Sequence, residues 1–392
     1  MHQTRQSRAD RDAAAPLRIQ PVEGRRALKR FLSMPARLYA RDRRWVQPLM
    51  LERLEHLNPN KNPYFEHAEV AYWIALRGDR PVGRISAQVD RLHLERHQDG
   101  SGQFGFLEAE DDPEVFAALF DAAEAWLKAR GMRRATGPFS LSINDESGLL
   151  IDGFETPPYL MMGHAPRFYR VRVEERGYRK ARDLIAYAFD VVAPPPPRAQ
   201  RLLERLSKGA GLRFRPIAMR RFEQELQTVV DIFNDAWSDN WAFVPMTPAE
   251  VRYMGRNLKP ILRAGHAWIG EVDGAPAAMT VTLPNVNEAI ADLGGRLLPF
   301  GWAKLLWRLK VRGTRSARMP LMGVRKKYQG TPKGAALALG VIEAVRGWHA
   351  AHGAKEAELS WVLEDNLPTH DIIRMVGGRP CKTYRVFEKE LA

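Results

Sequence analysis

Trp126, Gly131 and Asn144 recur as Trp348, Gly353 and Asn366, each pair 222 residues apart. A fixed offset shared by three different residue types points to an internal duplication, and a duplicated chain folds as two copies of one unit rather than around a single core. Upstream the parallel continues at another offset. Val70 to Ala75 and Val82 to Val89 flank a Gly78-Asp79 turn, while Ala267 to Val272 and Ala277 to Val281 flank Asp273-Gly274, nearer 195 residues away. The second copy therefore carries an insertion, at 285–316. A chain of 392 residues, 45% of them apolar, is long enough to fill two cores. Pro194 to Pro197 is a stiff spacer. The expected organisation is a disordered basic tail at 1–16, a first domain at 17–193, a linker and helix start at 194–204, and a second domain at 205–392.

Within the second copy an apolar segment, Met319 to Val324, runs into Arg325-Lys326-Lys327-Tyr328-Gln329-Gly330-Thr331-Pro332-Lys333-Gly334. Apolar residues at Leu337, Val341, Ile342 and Val345 then follow at helical spacing. A strand, a small-residue loop and a helix start together suit a pyrophosphate. The first helical turn has unpaired N–H groups and a partial positive charge, and small residues let the anion reach them. Four cations reinforce it. At the matching place the first copy reads Glu108-Ala-Glu-Asp-Asp-Pro-Glu114, five carboxylates that would repel a phosphate. Only the second copy is expected to hold the ligand.

After that helix come Gly353, the segment Glu358-Leu-Ser-Trp-Val-Leu-Glu-Asp-Asn366, a helix from Pro368 to Val376, Gly377, and a last strand from Thr383 to Phe387. This order resembles the GNAT acyltransferases, whose signature is a strand, Gln/Arg-x-x-Gly-x-Gly/Ala, a helix, a strand, and an Asn opening the next helix. Gln329 and Gly334 match the first and last motif positions; Pro332 replaces the first glycine. Asn366 matches the family asparagine. Ile373 stands where many members carry a general-acid tyrosine, so that role is not carried over. The resemblance implies an α/β (α+β) class with two tandem GNAT-like domains, each a mixed twisted sheet flanked by helices. It also implies a coenzyme A thioester held by Gly323, Val324, Arg325, Lys326, Gln329, Gly330, Thr331, Lys333, Gly334, Ala335 and Asn366.

The acceptor side is read from three places. Asn234, Trp237, Asn240 and Trp241 crowd the end of a helix spanning Phe222 to Trp237, where GNAT folds shape an acceptor pocket. Asn144 sits in a Gly-, Ser- and Asn-rich stretch that suits a pocket-lining loop. In the insertion, Trp302, Leu305, Leu306 and Leu309 fall at i, i+3, i+4 and i+7 after Pro299, opposite Lys304, Arg308 and Arg312. An apolar stripe opposed by cations describes a helix lying in a membrane interface, here an anionic one. These features, with Gly295-Arg-Leu-Leu-Pro-Phe-Gly301, resemble the tandem-GNAT family that includes the bacterial ceramide synthases. That resemblance implies transfer of a fatty acyl group from acyl-CoA to the amine of a sphingoid base.

Such a transfer needs a base for the amine and a donor for the oxyanion, the latter expected from backbone around Gly323-Val324. Glu364 is the first choice of base, with Glu358 and Asp365 beside it; strand alternation would put Glu358 and Glu364 on one face. A GNAT acetyltransferase acting on a small soluble amine and a non-catalytic acyl-CoA or lipid-binding protein are the alternatives. The net charge of +14 calls for an acidic partner. No basic stripe interleaved with aromatics appears outside the insertion, so nucleic acid is not expected. His349 and His352 read as a solvated helix end, and no metal is expected. The single cysteine and the absence of an apolar leader fit a cytoplasmic protein, with the inner-membrane surface as its possible station.

Overall fold

The computed structural model describes residues 15–208 and 211–392, so the expected tail falls almost entirely outside the described residues. The chain divides into two compact units. One comprises 1–183, 294–296 and 384–392, and the other 184–293 and 297–383.

In the second unit the strand Leu212–Pro216 leads into the helix Phe222–Trp237. The strands Ala267–Val272 and Ala275–Pro284 form the expected hairpin. Asp273 and Gly274 both take positive φ in its turn, which is why a short polar residue and a glycine sit there. Strand Ser316–Val324 follows antiparallel, and strand Glu356–Leu363 lies parallel beside it. Residues 184–190 pair antiparallel with Glu356–Leu363, and the strand that includes residues 379–383 lies on their other side. One face carries the helix Pro332–Ala351, which buries Leu337, Val341, Ile342 and Val345 as its spacing predicts. Thr331 caps it, with its hydroxyl accepting the Gly334 N–H at 3.0 Å. Gly353, at φ +86°, ends it.

The first unit repeats this order: Ala68–Arg77 and Arg80–Asp90 as a hairpin, Ser101–Ala109, the helix Pro113–Lys128, then Arg134–Gly137 parallel to Ser101–Ala109. Asp112 caps the helix at Glu114 N, 2.9 Å. Val115, Phe116, Leu119, Phe120 and Ala123 form its buried face, and Leu127, not the neighbouring Trp126, completes it. Trp126 instead takes the Arg130 guanidinium over its ring at 3.7 Å. Gly131, at φ +78°, ends the helix as Gly353 does its counterpart. The duplication breaks at Asn144: it lies in a turn, where its N–H donates to Ser142 Oγ, and caps no helix.

The five carboxylates at 108–114 do not stand as a repelling loop; each has a partner. Glu110 pairs with Arg37 and Arg80, Asp111 with Arg172, and both Asp112 and Glu114 with Arg77. Glu108 lies inside, accepting the hydroxyls of Tyr39 at 2.6 Å and Tyr169 at 2.9 Å. Burial lifts its carboxyl to about 7, against the opposing charge of Arg84. Folding therefore favours the protonated form. Its stabilisation is complete below the ordinary glutamate range and is lost as pH rises through about 7. Between about pH 5 and about pH 8.5, wild type should lose roughly 3 kcal/mol more than Glu108→Gln in denaturant unfolding, and parallel pH profiles for the two would contradict the assignment.

Candidate active site in the second unit

The parallel pairing of Ser316–Val324 with Glu356–Leu363 runs only from Ser316↔Glu356 to Met319↔Leu359. Beyond it both strands gain a residue over their other neighbours. Arg318 to Leu321 spans Leu283 to Val281 on one side, and Leu359 to Val362 spans Tyr187 to Ile185 on the other. A bulge bends a strand and ends its pairing, so two facing bulges open a cleft. The resulting cavity, about 70 Å³, is lined by Trp237, Asn240, Met322, Ser360, Trp361, Asn366, Ile342 and Ile373 among others. Among the described residues of the first unit, the two backbones approach closely at the equivalent place. A Cβ on Gly105 would lie 1.8 Å from the Phe139 carbonyl oxygen, and one on Gly137 would lie 2.3 Å from that of Phe104. Backbone meets backbone where the second unit opens.

At one end of the cleft lies the basic loop. Arg325 N–H joins Ala277 O at 2.8 Å, Lys326 N–H joins the Asp235 carboxylate at 2.8 Å, and Lys326 Nζ lies 2.6 Å from Asp239. Gly330 turns at φ +69°. Gln329 spends its side chain internally, donating to Val324 O at 2.8 Å, so it braces the loop. With Pro332 lacking an N–H and Gly334 N–H bound to Thr331, the first helical turn keeps only the Lys333 N–H for an outside anion. Ala335 N–H is already in the helix ladder at Thr331 O, so the loop's positive charge is that of Arg325, Lys326, Lys327 and Lys333 more than of the helix end. A Cβ on Gly334 would fall 2.0 Å from the Tyr328 carbonyl oxygen. Gly334→Glu therefore displaces the 326–331 turn and adds a like charge. It should weaken coenzyme A binding by roughly 1.5–3 kcal/mol, about 10–150-fold. Calorimetry giving unchanged affinity, or two equivalent sites in wild type, would contradict this.

Deep in the cleft, Ser360 donates its hydroxyl to Glu358 Oε1 at 2.8 Å and accepts Arg318 Nε at 3.0 Å. Glu358, Arg318 and Lys382 are all buried. Burial raises the Glu358 carboxyl above its ordinary value although Arg318 and Lys382 pull it down, and burial lowers Lys382. Glu358 Oε2 has no hydrogen-bond partner among the described residues. Tyr187, the cross-strand partner of Leu359, meets His370 Nδ1 at 2.6 Å, so Leu359 faces the helix Leu367–Met375. Glu358 lies on the opposite face, where Gly323 packs on Ala236 of the helix Phe222–Trp237.

The other expected residues divide. Trp237, Asn240 and Asn366 line the cavity, with Trp237 Nε1 bound to Met322 O at 3.0 Å and Asn366 capping its helix at Thr369 N. Asn234 and Trp241 are not on that wall, and Asn144 belongs to the first unit. Glu364 and Asp365 sit in the turn after the strand, half-buried and exposed. The 359–362 bulge shifts the alternation by one, so Glu358 and Glu364 do not share a face as expected. Ser360, Trp361 and Arg318 were missed as site residues. Polar and aromatic residues inside an otherwise apolar strand were the available signal. His349 is also corrected: it is buried and bound to Thr282 Oγ1 at 2.8 Å, its pKa lowered to about 4 by burial.

In the insertion the helix is Gly301–Trp307, continued by a π-turn at Arg308–Arg312. The wider turn breaks the expected stripe, and Leu309 is buried. Trp302 is exposed, away from the cavity, together with Leu298, Phe300, Leu306, Trp307 and Val311. Lys304 and Arg308 are spent on Asp292. Among the described residues no group of three or more His, Cys, Asp or Glu could hold a metal ion, and no helix is long and apolar enough to cross a membrane.

No family model matches the chain. It is 51% identical over 96% of its length to a "Bacterial ceramide synthase" from Caulobacter vibrioides, covering 98% of that protein. It is 47% identical to "Protein YghO" of Escherichia coli, covering 93% of each. Among solved structures, a tandem GNAT protein from the clavulanic acid biosynthesis pathway matches 96% of this chain and 99% of its own at a TM-score of 0.57 and 13% identity. A GCN5-related glucosamine N-acetyltransferase region of a fungal β-N-acetylglucosaminidase matches 96% of this chain and 38% of its own at 0.59 and 14% identity. These two carry the fold. The identity carries the family: the chain is an N-acyltransferase of the tandem-GNAT type and belongs to the bacterial ceramide synthase family.

Proposed function

We propose that the second unit takes a long-chain acyl-CoA in the cleft between its diverging strands and transfers the acyl group to the amine of a membrane lipid, a sphingoid base. One observation carries the chemistry: a cavity between two strands, one of which runs into the basic loop, with Ser360 on its wall hydrogen-bonded to the buried Glu358. The coenzyme A thioester supplies the activated acyl group. Its pyrophosphate suits Arg325, Lys326, Lys327 and Lys333, and Asn366 suits the polar arm that follows. A strand residue's N–H and C=O leave on the same side. Since Met322 C=O is bound by Trp237 and Val324 C=O by Gln329, their N–H groups face the open edge, away from the neighbouring hairpin. They replace Gly323 as donors to the carbonyl oxygen where negative charge develops.

The acceptor amine enters from the face covered by Phe222–Trp237, past Trp237 and Trp361, whose rings stand 6.3 Å apart. Its nitrogen attacks the thioester carbonyl as its proton passes to Ser360 Oγ and Ser360 passes its own to Glu358 Oε1, with Arg318 holding Ser360 in place. The C–S bond then breaks and the coenzyme A thiolate leaves, taking up a proton from solvent. Glu358 is therefore the base, with Glu364 the second candidate. The exposed apolar set at 298–311 suits docking on a bilayer, which would hold an apolar sphingoid base. Offering palmitoyl-CoA and acetyl-CoA against sphinganine and a panel of polar amines, with products identified by mass spectrometry, tests the assignment. An N-palmitoyl sphingoid base is expected. Acetylation of a soluble amine in its place would establish the acetyltransferase alternative.

A further inference from the structure

A second cavity, about 250 Å³, lies between the helices Pro197–Ser207 and Pro332–Ala351. It and the cleft share one side chain, Ile342, and Ile373 on the cleft wall is followed one helical turn later by Val376 on the wall of the second cavity. Its inner walls are apolar, with Phe189, Ala199, Leu203 and Leu339 among them, and Gln200, Glu204, Glu343 and Arg346 are polar lining. Arg346 pairs with Glu343 and donates to the carbonyls of Val191 and Ala193, tying down the chain that leads into Pro197–Ser207. Pro196 reaches within 3.7 Å of the Cβ position at Gly377, fixing the same segment from the other side.

We infer that this second cavity receives the distal end of the acyl chain and sets the chain length of the donor, with Ala199, Leu203, Leu339 and Ile342 as its specificity-determining residues. The inference rests on the long-chain transfer proposed above. The cleft itself encloses about 70 Å³. The adjoining cavity is more than three times larger, with most of its lining apolar. Ile342 is the partition between them. An acyl chain directed past Ile342 exchanges water for apolar contact along its length, whereas a polar arm would leave its amides unpaired there.

The test is a chain-length profile. Rates of amide formation are measured with octanoyl-, myristoyl-, palmitoyl- and stearoyl-CoA at saturating sphinganine for wild type, Ala199→Phe and Leu203→Ala. Ala199→Phe fills the cavity. It should lower kcat/KM for the longest donors about 10–200-fold while octanoyl-CoA stays within a few-fold of wild type. Leu203→Ala enlarges it and should move the optimum to a longer chain, which keeps the idea falsifiable if Ala199→Phe does not fold. An unchanged optimum in the enlarged variant, or equal losses at all lengths in a folded Ala199→Phe, would overturn the assignment while leaving acyl transfer intact. A wild type that makes no amide from any donor would overturn the proposed function and this inference with it.

Discussion

Glu358→Gln should lower turnover about 10²–10⁴-fold and leave coenzyme A affinity nearly unchanged. The glutamine keeps the volume and one acceptor for the Ser360 hydroxyl but cannot take up its proton. With coenzyme A on the basic loop, as proposed, binding measured by calorimetry is insulated from the change. Burial raises the Glu358 carboxyl, so the acid limb of kcat in wild type should lie above the ordinary glutamate range. Activity requires the ionised form and is therefore lost as pH falls through that raised value. Ser360→Ala should show a loss of similar kind, since it cuts the relay. Glu364→Gln should stay within a few-fold. A hundredfold loss in Glu364→Gln with a mild one in Glu358→Gln would move the base into the turn after the strand.

The second large effect concerns the lipid surface. Leu298 is 80% exposed and Phe300 78%, and Trp302, Leu306, Trp307 and Val311 stand out near them. Six large apolar side chains exposed within so short a segment are unusual on a monomer's surface. Trp302→Asp with Trp307→Asp should weaken binding to anionic vesicles by about 3–6 kcal/mol, a loss of more than about a hundredfold. Activity on octanoyl-CoA in detergent should survive, because neither residue lines the cleft. Leu309→Asp would be uninformative, since Leu309 is buried and its loss would unfold the insertion. Vesicle flotation showing equal binding by wild type and the double variant would remove the docking surface from the account.

The duplication, the hairpins, the basic loop and the long helix were legible because each depends on local pattern: a fixed offset, alternation, a Gly-bearing turn, a 3.6-residue spacing. The cleft was not. It depends on where pairing between two strands stops, at Met319 and Leu359, and on bulges that add one residue to each. The same bulge put Glu358 and Glu364 on different faces although simple alternation united them. Arg318 and Lys382 reach Glu358 from separate strands, a juxtaposition that no short motif encodes. In the insertion the helix is α only to Trp307, and the expected stripe is split, with Trp302 and Leu306 exposed while Leu309, in the π-turn, is buried.

The central claim is direct acyl transfer from a coenzyme A thioester to a lipid amine in the second unit. Thiol release from palmitoyl-CoA, followed with and without sphinganine while the amide is quantified in parallel, tests it most directly. The account predicts thiol and amide in equal amounts, release that depends on the sphinganine, and the loss of both in Glu358→Gln. Thiol released at the same rate without an acceptor, with free fatty acid as the product, would show a hydrolase and contradict it.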